Sequence, residues 1–159
     1  MMFEKIKECK EKYAMKVIVI CHWGVDFQRT STKQREYARS ISEAGADLII
    51  GHGAHLMQSI ERIGTTTVVY SIGNGVFNSN GEYDKRFVPP YSFIAQLELH
   101  YNNNSKLKLY PIYGNNLETY WQPRFLTENE ANHCHAQLKQ MGAISKMTLK
   151  KDKCTIFFC

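Results

Sequence analysis

The chain has 159 residues, a net charge of +5, and hydrophobic and charged fractions of 43% and 22%. These values predict one globular domain with a sizeable core and exclude a low-complexity chain. No apolar stretch approaches the about 18 to 20 residues that span a bilayer, and lysine and arginine are dispersed, so neither a membrane segment nor a nucleic-acid partner is expected.

One small basic cluster, Lys146, Lys150, Lys151 and Lys153, reads as a solvated tail. The cysteines are Cys9, Cys21, Cys134, Cys154 and Cys159. Their odd number and the lack of CxxC spacing predict reduced thiols rather than a disulfide framework.

The opening MMFEKIKECKEKYAMK is charged throughout and does not read as a signal peptide. As written, the chain is expected in the cytoplasm. Residues 3–13 predict a helix with a narrow apolar stripe. Residues 15–21 (MKVIVIC) are rich in β-branched side chains and predict a strand buried on both faces, with Cys21 as a small buried hydrophobe. His22-Trp23-Gly24 breaks it. Ser31 and Gln34 have capping-box spacing, and the helix they open sets Tyr37, Ala38, Ile41 and Ala44 on its apolar side. Gly45 suits its end, and residues 47–50 predict a second strand. Strand, helix and strand make a βαβ unit, with parallel strands and a right-handed crossover. Ligands bind at the carboxyl ends of such strands, where His22, His52 and His55 all fall.

Residues 59–63 and 67–71 predict a hairpin turning at Gly64. Residues 74–90 form a long polar loop closed by Pro89-Pro90, a length often tied to function. Residues 92–101 and 106–113 predict another hairpin around Asn102-Asn103-Asn104-Ser105, and the alternation of Phe93, Ala95, Leu97 and Leu99 with Ile94, Gln96, Glu98 and His100 predicts one solvated face. Thr127 caps a helix over 128–141, with Glu130 completing the box. Residues 154–158 predict an edge strand.

His22 taken alone reads as an ordinary loop histidine in preference to a metal ligand. The turn Gly51-His52-Gly53-Ala54-His55 adds two imidazoles three residues apart, and its glycines let side chains converge. The three together predict a divalent-metal site. Such a site needs carboxylates as well, and Asp26, Glu61 and Asp84 are near in sequence. Asp26, four residues beyond His22, is either a partner that orients an imidazole through its second nitrogen or a solvated loop acid. His100, His133 and His135 are expected at the surface, and the last two do not share a helix face.

The strings HWGVDF, REYARSISEAGADLIIGHGAHLMQSIERI and VVYSIGNGVFN resemble the bacterial CapA-type family of capsule-synthesis, poly-γ-glutamate biosynthesis proteins. That family is similar to the calcineurin-like metallophosphoesterases. The resemblance is close over residues 17–76 and weaker to 125, where YWQPRFLT matches a closing segment. It implies an α/β fold: a partial metallophosphoesterase-like layered β-sandwich flanked by helices, its parallel βαβ unit followed by β-hairpins. His22 matches the histidine of the family's HWG motif, and His55 the last histidine of its glycine-histidine turn. These two are the implied catalytic residues. With His52 they are the implied ligands of Mn, Zn or Fe, although the family's common histidine position is occupied here by Gly53. Asp26-Phe27 stand where Glu-Tyr is common. Ser71, Gly73 and Asn74 match the YS-x-GN segment at the pocket rim, and the resemblance implies that Asn74 and Asp26 contact the bound group.

The family's first ligands lie in Asp-x-His, Gly-Asp and Gly-Asn-His segments, none of which occurs in this chain. The expectation is therefore a C-terminal half, with a charged helix over 1–14, a half-domain over 15–126, and a helix and tail over 127–159. A separate N-terminal half would be a partner, and an uncovered sheet face would favour self-association. Three functions compete. One is a metal-dependent hydrolase acting on phosphoester or amide bonds in anionic-polymer synthesis. Another is a non-catalytic accessory fragment or pseudoenzyme, and the third is a protein whose histidines only pack.

Overall fold

The computed structural model describes residues 2–100, 105–142, 148–150 and 153–158. In chain order its elements are α1 (Met2–Glu11), β1 (Ile18–His22), α2 (Thr32–Glu43), β2 (Leu48–His52), β3 (Ile60–Ile63), β4 (Thr66–Val69), α3 (Glu82–Lys85), β5 (Tyr91–Glu98), β6 (Ser105–Tyr113), α4 (Asn116–Thr119), β7 (Arg124–Phe125), α5 (Glu128–Gln140), β8 (Thr148–Lys150) and β9 (Lys153–Phe158). The expected turn at Asn102, Asn103 and Asn104, together with Lys146, Lys151 and Cys159, lies outside the described residues.

The βαβ unit forms as its sequence predicts. Ser31 Oγ accepts from the Gln34 backbone N–H, and Gln34 Oε1 accepts from the Ser31 N–H, closing the capping box that starts α2. Gly45, at φ 104°, turns the chain out of the helix. β1 and β2 then pair in parallel with Ile18 opposite Leu48 and His22 opposite His52. The Asp47 carboxylate fixes the start of this pair. It accepts from the Val17 N–H at 2.6 Å and from Lys10 Nζ at 2.9 Å, which ties α1 to both strands.

The first sheet has the order β1-β2-β4-β3, with β4 parallel to β2 and antiparallel to β3. The second, antiparallel throughout, runs β5-β6-β9-β8 with β7 alongside β6. Alternation along β2 and β4 builds two cores. Ile49, Val68 and Tyr70 face Ile6 of α1 and Ala38 and Ile41 of α2. Leu48, Ile50 and Val69 face the other way, against Phe93, Leu107, Leu109 and Ile156 of the second sheet and Cys134 and Leu138 of α5. The terminal helices therefore pack into the same two cores as the sheets.

Several local expectations are corrected. β1 is an edge strand, not one buried on both faces, and Ile20 is 70% exposed. Its apolar sequence reports burial on the side where Val19 and Cys21 meet the helices, but the second sheet does not reach over Ile20. Cys21 is half-buried, and that burial pushes its thiol pKa up. Tyr37 is half-exposed because α2 turns Ala38 and Ile41 inward instead. β9 is an interior strand between β6 and β8, and β8 forms that edge. His135 is only partly exposed, and its Nε2 is buried with no hydrogen-bond partner among the described residues. No described helix is long and apolar enough to cross a membrane.

The cap of α5 carries a pH prediction. Arg124 donates to both Glu130 oxygens at 2.8 Å, and the Thr127 N–H donates to one of them at 2.7 Å. The arginine pair, reinforced by the cap, holds the Glu130 carboxyl down to about 2. Its folded pKa lies below its unfolded value, so this stabilisation is present above about pH 4.3 and fades as pH falls toward 2. Relative to wild type, Glu130→Gln will flatten the acid limb of stability over that window by ~1 kcal/mol, a surface-pair magnitude. Urea unfolding across pH 2 to 6 measures it, and parallel limbs for the two proteins would refute it.

Candidate functional site

The carboxyl ends of β1 and β2 carry the expected histidines, and the rim divides them into two groups. His22 and His52, register partners, lie edge to face with ring centroids 4.7 Å apart. Gly53 permits this. A Cβ there would fall 2.8 Å from His22 Cδ2, and the residue sits at φ 103°. His22 also lines an open cleft of about 560 Å³ along β1, with Ile20, Trp23, Val25 and Tyr37.

Trp23 anchors the rim from behind. Its indole Nε1–H donates to the Tyr70 carbonyl at 2.7 Å, and the two rings stack at 5.8 Å. The bond passes directly over Gly51. Tyr70 OH in turn donates to Glu61, which also pairs with Arg35. Burial, first, and the Glu61 carboxylate, second, push the Tyr70 phenol far above its ordinary pKa, so it stays a neutral donor.

His55 stands apart from the other two. Its ring is sandwiched between Phe27, 5.5 Å away, and Phe77, 4.4 Å away. Its backbone is left-handed at φ 61°. Asn74 Nδ2 and Tyr83 OH both donate to its carbonyl, at 3.1 and 3.0 Å. That bond fixes the Asn74 amide, because a carbonyl only accepts, and so Asn74 Oδ1 is the atom 2.9 Å from His55 Nδ1. An amide oxygen also only accepts. Nδ1 therefore carries the proton in the neutral ring, and the Nε2 lone pair points outward. Asp26 Oδ1 lies 3.8 Å from that Nε2. The Asn74 backbone is held as well, its N–H donating to Ser92 Oγ at 2.9 Å.

Among the described residues, no three His, Cys, Asp or Glu side chains are grouped closely enough to hold a metal ion. The donors present fit parts of metal centres: two imidazoles in one group, an imidazole and a carboxylate in the other, where a four-coordinate site takes four. Sequence reasoning missed Tyr83, Phe77 and the stacking role of Phe27. The first two lie in the 74–90 loop, and they reach His55 through contacts with no local sequence signature.

A parallel βαβ rim of imidazoles, backed by an antiparallel sheet, defines a mixed α/β protein with a histidine-rich site at its strand ends. The family described as "Bacterial capsule synthesis protein PGA_cap" matches residues 1–79. The PGA biosynthesis protein CapA of Bacillus subtilis (strain 168) is 35% identical over 108 residues, 67% of this chain and 27% of that protein. The capsule biosynthesis protein CapA of Bacillus anthracis is 28% identical over 149 residues, 93% of this chain and 34% of that protein. The chain belongs to this CapA-type bacterial capsule synthesis family. It spans about a third or less of the length of these curated relatives.

Proposed function

We propose that the chain serves the synthesis of an anionic capsular polymer of the poly-γ-glutamate type, and that its histidine rim is part of a metal-dependent hydrolase site. The observation that carries this reading is the fixed tautomer of His55, whose Nε2 lone pair faces Asp26 Oδ1 at 3.8 Å. Metal-binding histidines have their other nitrogen held in this way. In this reading His22 and His52 contribute to one ion, and His55 and Asp26 to another. A bound Mn, Zn or Fe ion would polarise a phosphoryl or acyl oxygen and activate water. This chain's residues prepare the site. Asn74 keeps the proton on His55 Nδ1, and Phe27 and Phe77 stack on the ring.

Metal titration of the purified chain against a His22→Ala, His55→Ala double variant is the test. Stoichiometric zinc or manganese binding that the double variant loses is the expected result, and phosphodiesterase and amide-hydrolase assays follow from it. A folded wild-type chain that binds neither ion sinks the metal reading. The alternative, a non-catalytic accessory chain, is favoured by the lack of any three-donor group among the described residues.

A further inference from the structure

A second polar site lies beyond Phe27, on the loop leading into α2. There Arg29, Thr30, Arg35, Ser59, Gln140 and Met141 line an open cavity of about 220 Å³. All of these side chains except Met141 can donate a hydrogen bond. Arg35 is partly used, since Nη1 pairs with Glu61 and Nη2 lies 3.4 Å from Ser59 Oγ. Arg29 is exposed and enters no hydrogen bond or ion pair among the described residues. Thr30 and Ser59 share one hydrogen bond at 2.7 Å, while the Ser59 N–H donates to Thr30 Oγ1. One hydroxyl hydrogen of the pair therefore remains to point outward. Two guanidinium groups against the Glu61 carboxylate leave one net positive charge, which matches a single carboxylate.

Arg29, Gln137 and Gln140 also line an adjoining cavity of about 180 Å³, whose remaining lining residues are apolar, Phe27, Leu56, Phe87 and Pro89 among them. Phe87 is 93% exposed and left-handed at φ 52°, and Phe27 is left-handed at φ 57°. Bulky L-residues rarely adopt that conformation, and neither burial nor backbone preference explains Phe87. The Phe27 ring stacks on His55, so the apolar cavity joins the cationic one to the histidine rim. A cationic fork beside an apolar wall suits a ligand that carries a carboxylate next to methylenes.

We propose that this groove is a subsite for a γ-linked polyglutamate chain, with Arg29 as the carboxylate clamp and Phe87 as the platform for the intervening methylenes. The identity of the polymer rests on the function proposed above. The binding itself needs no metal, so the titration is run in chelator-treated buffer and fails or succeeds independently of the metal experiment.

The probes are a short γ-linked glutamate oligomer, glutarate and inorganic phosphate, titrated into the full chain by calorimetry. The oligomer is expected to bind best, to lose about tenfold in affinity in Arg29→Ala, and to regain part of it in Arg29→Lys. Phe87→Ala is expected to weaken the oligomer by about tenfold and to leave phosphate unchanged. Both side chains are exposed, so the folded state survives these changes. No oligomer binding by wild type, equal affinity in Arg29→Ala, or phosphate binding as well as the oligomer with Phe87→Ala silent would each overturn the proposal. The last outcome would leave a simple anion site.

Discussion

Gly51→Ala will lower the stability of the chain by about 4 kcal/mol and its melting temperature by about 10 °C. A Cβ at this position would fall 2.0 Å from the Tyr70 carbonyl oxygen and 2.2 Å from Trp23 Nε1. No rotamer relieves a clash with backbone. Either β2 moves away from β4, or the indole gives up its 2.7 Å bond to Tyr70 and leaves a carbonyl with one acceptor unused in the core. Overpacking costs about 1 to 3 kcal/mol and an unmet buried polar group a similar amount. Gly75→Ala is the control, because open space surrounds that position and its backbone is not left-handed. It will be neutral, or slightly stabilising through the unfolded chain. Thermal unfolding with near-ultraviolet circular dichroism separates the two, since the indole signal reports Trp23 directly. A Gly51→Ala variant that melts with the wild type would mean that the Trp23–Tyr70 contact does not govern the rim.

Local chemistry made the rim legible in advance. The capping residues Ser31 and Gln34, the glycine at 45 and the spacing of two apolar runs sufficed for the βαβ unit, and with it for His22 opposite His52. Those signals act within a few residues, so a sequence carries them whole. The burial of β1 departs from its sequence pattern because a β-branched run looks the same in an interior strand and in an edge strand covered on one side. What decides is whether a second sheet passes over Ile20, and no residue near Ile20 encodes that. β9 failed for the same reason: its neighbour β8 is a short strand of mixed character. The division of the histidines was hidden more deeply. His52 and His55 are three residues apart, yet a left-handed backbone at His55 turns its ring toward Phe27 and Phe77. The groups that hold this conformation, Asn74 and Tyr83, are 19 and 28 residues away.

Asn74→Leu tests that arrangement, and its effect should be the larger one at the site itself. The substitution keeps the side-chain size and the backbone bond to Ser92 Oγ, but removes three contacts: Oδ1 to His55 Nδ1, and Nδ2 to the His55 carbonyl and to Tyr83 OH. The Tyr83 phenol, whose pKa burial raises, remains a neutral donor to the His55 carbonyl, so the backbone turn is weakened rather than lost. The ring loses the acceptor that Asn74 offers at Nδ1 and can rotate or exchange tautomer. The stability cost is about 2 kcal/mol, that of a half-buried polar group left unmet. The imidazole nitrogen shifts of His55 will report the Nδ1–H form as dominant in the wild type and as a mixture in Asn74→Leu. If the metal reading holds, affinity will fall about 10- to 100-fold in the same variant. Asn74→Asp distinguishes orientation from mere packing. It retains an acceptor for Nδ1, and so retains the tautomer, while it loses the donor to the His55 carbonyl and destabilises the turn. Identical nitrogen shifts in wild type and Asn74→Leu would show that the two phenyl rings, and not the amide, set the orientation of His55, and the Nε2–Asp26 pairing would then lose its physical basis.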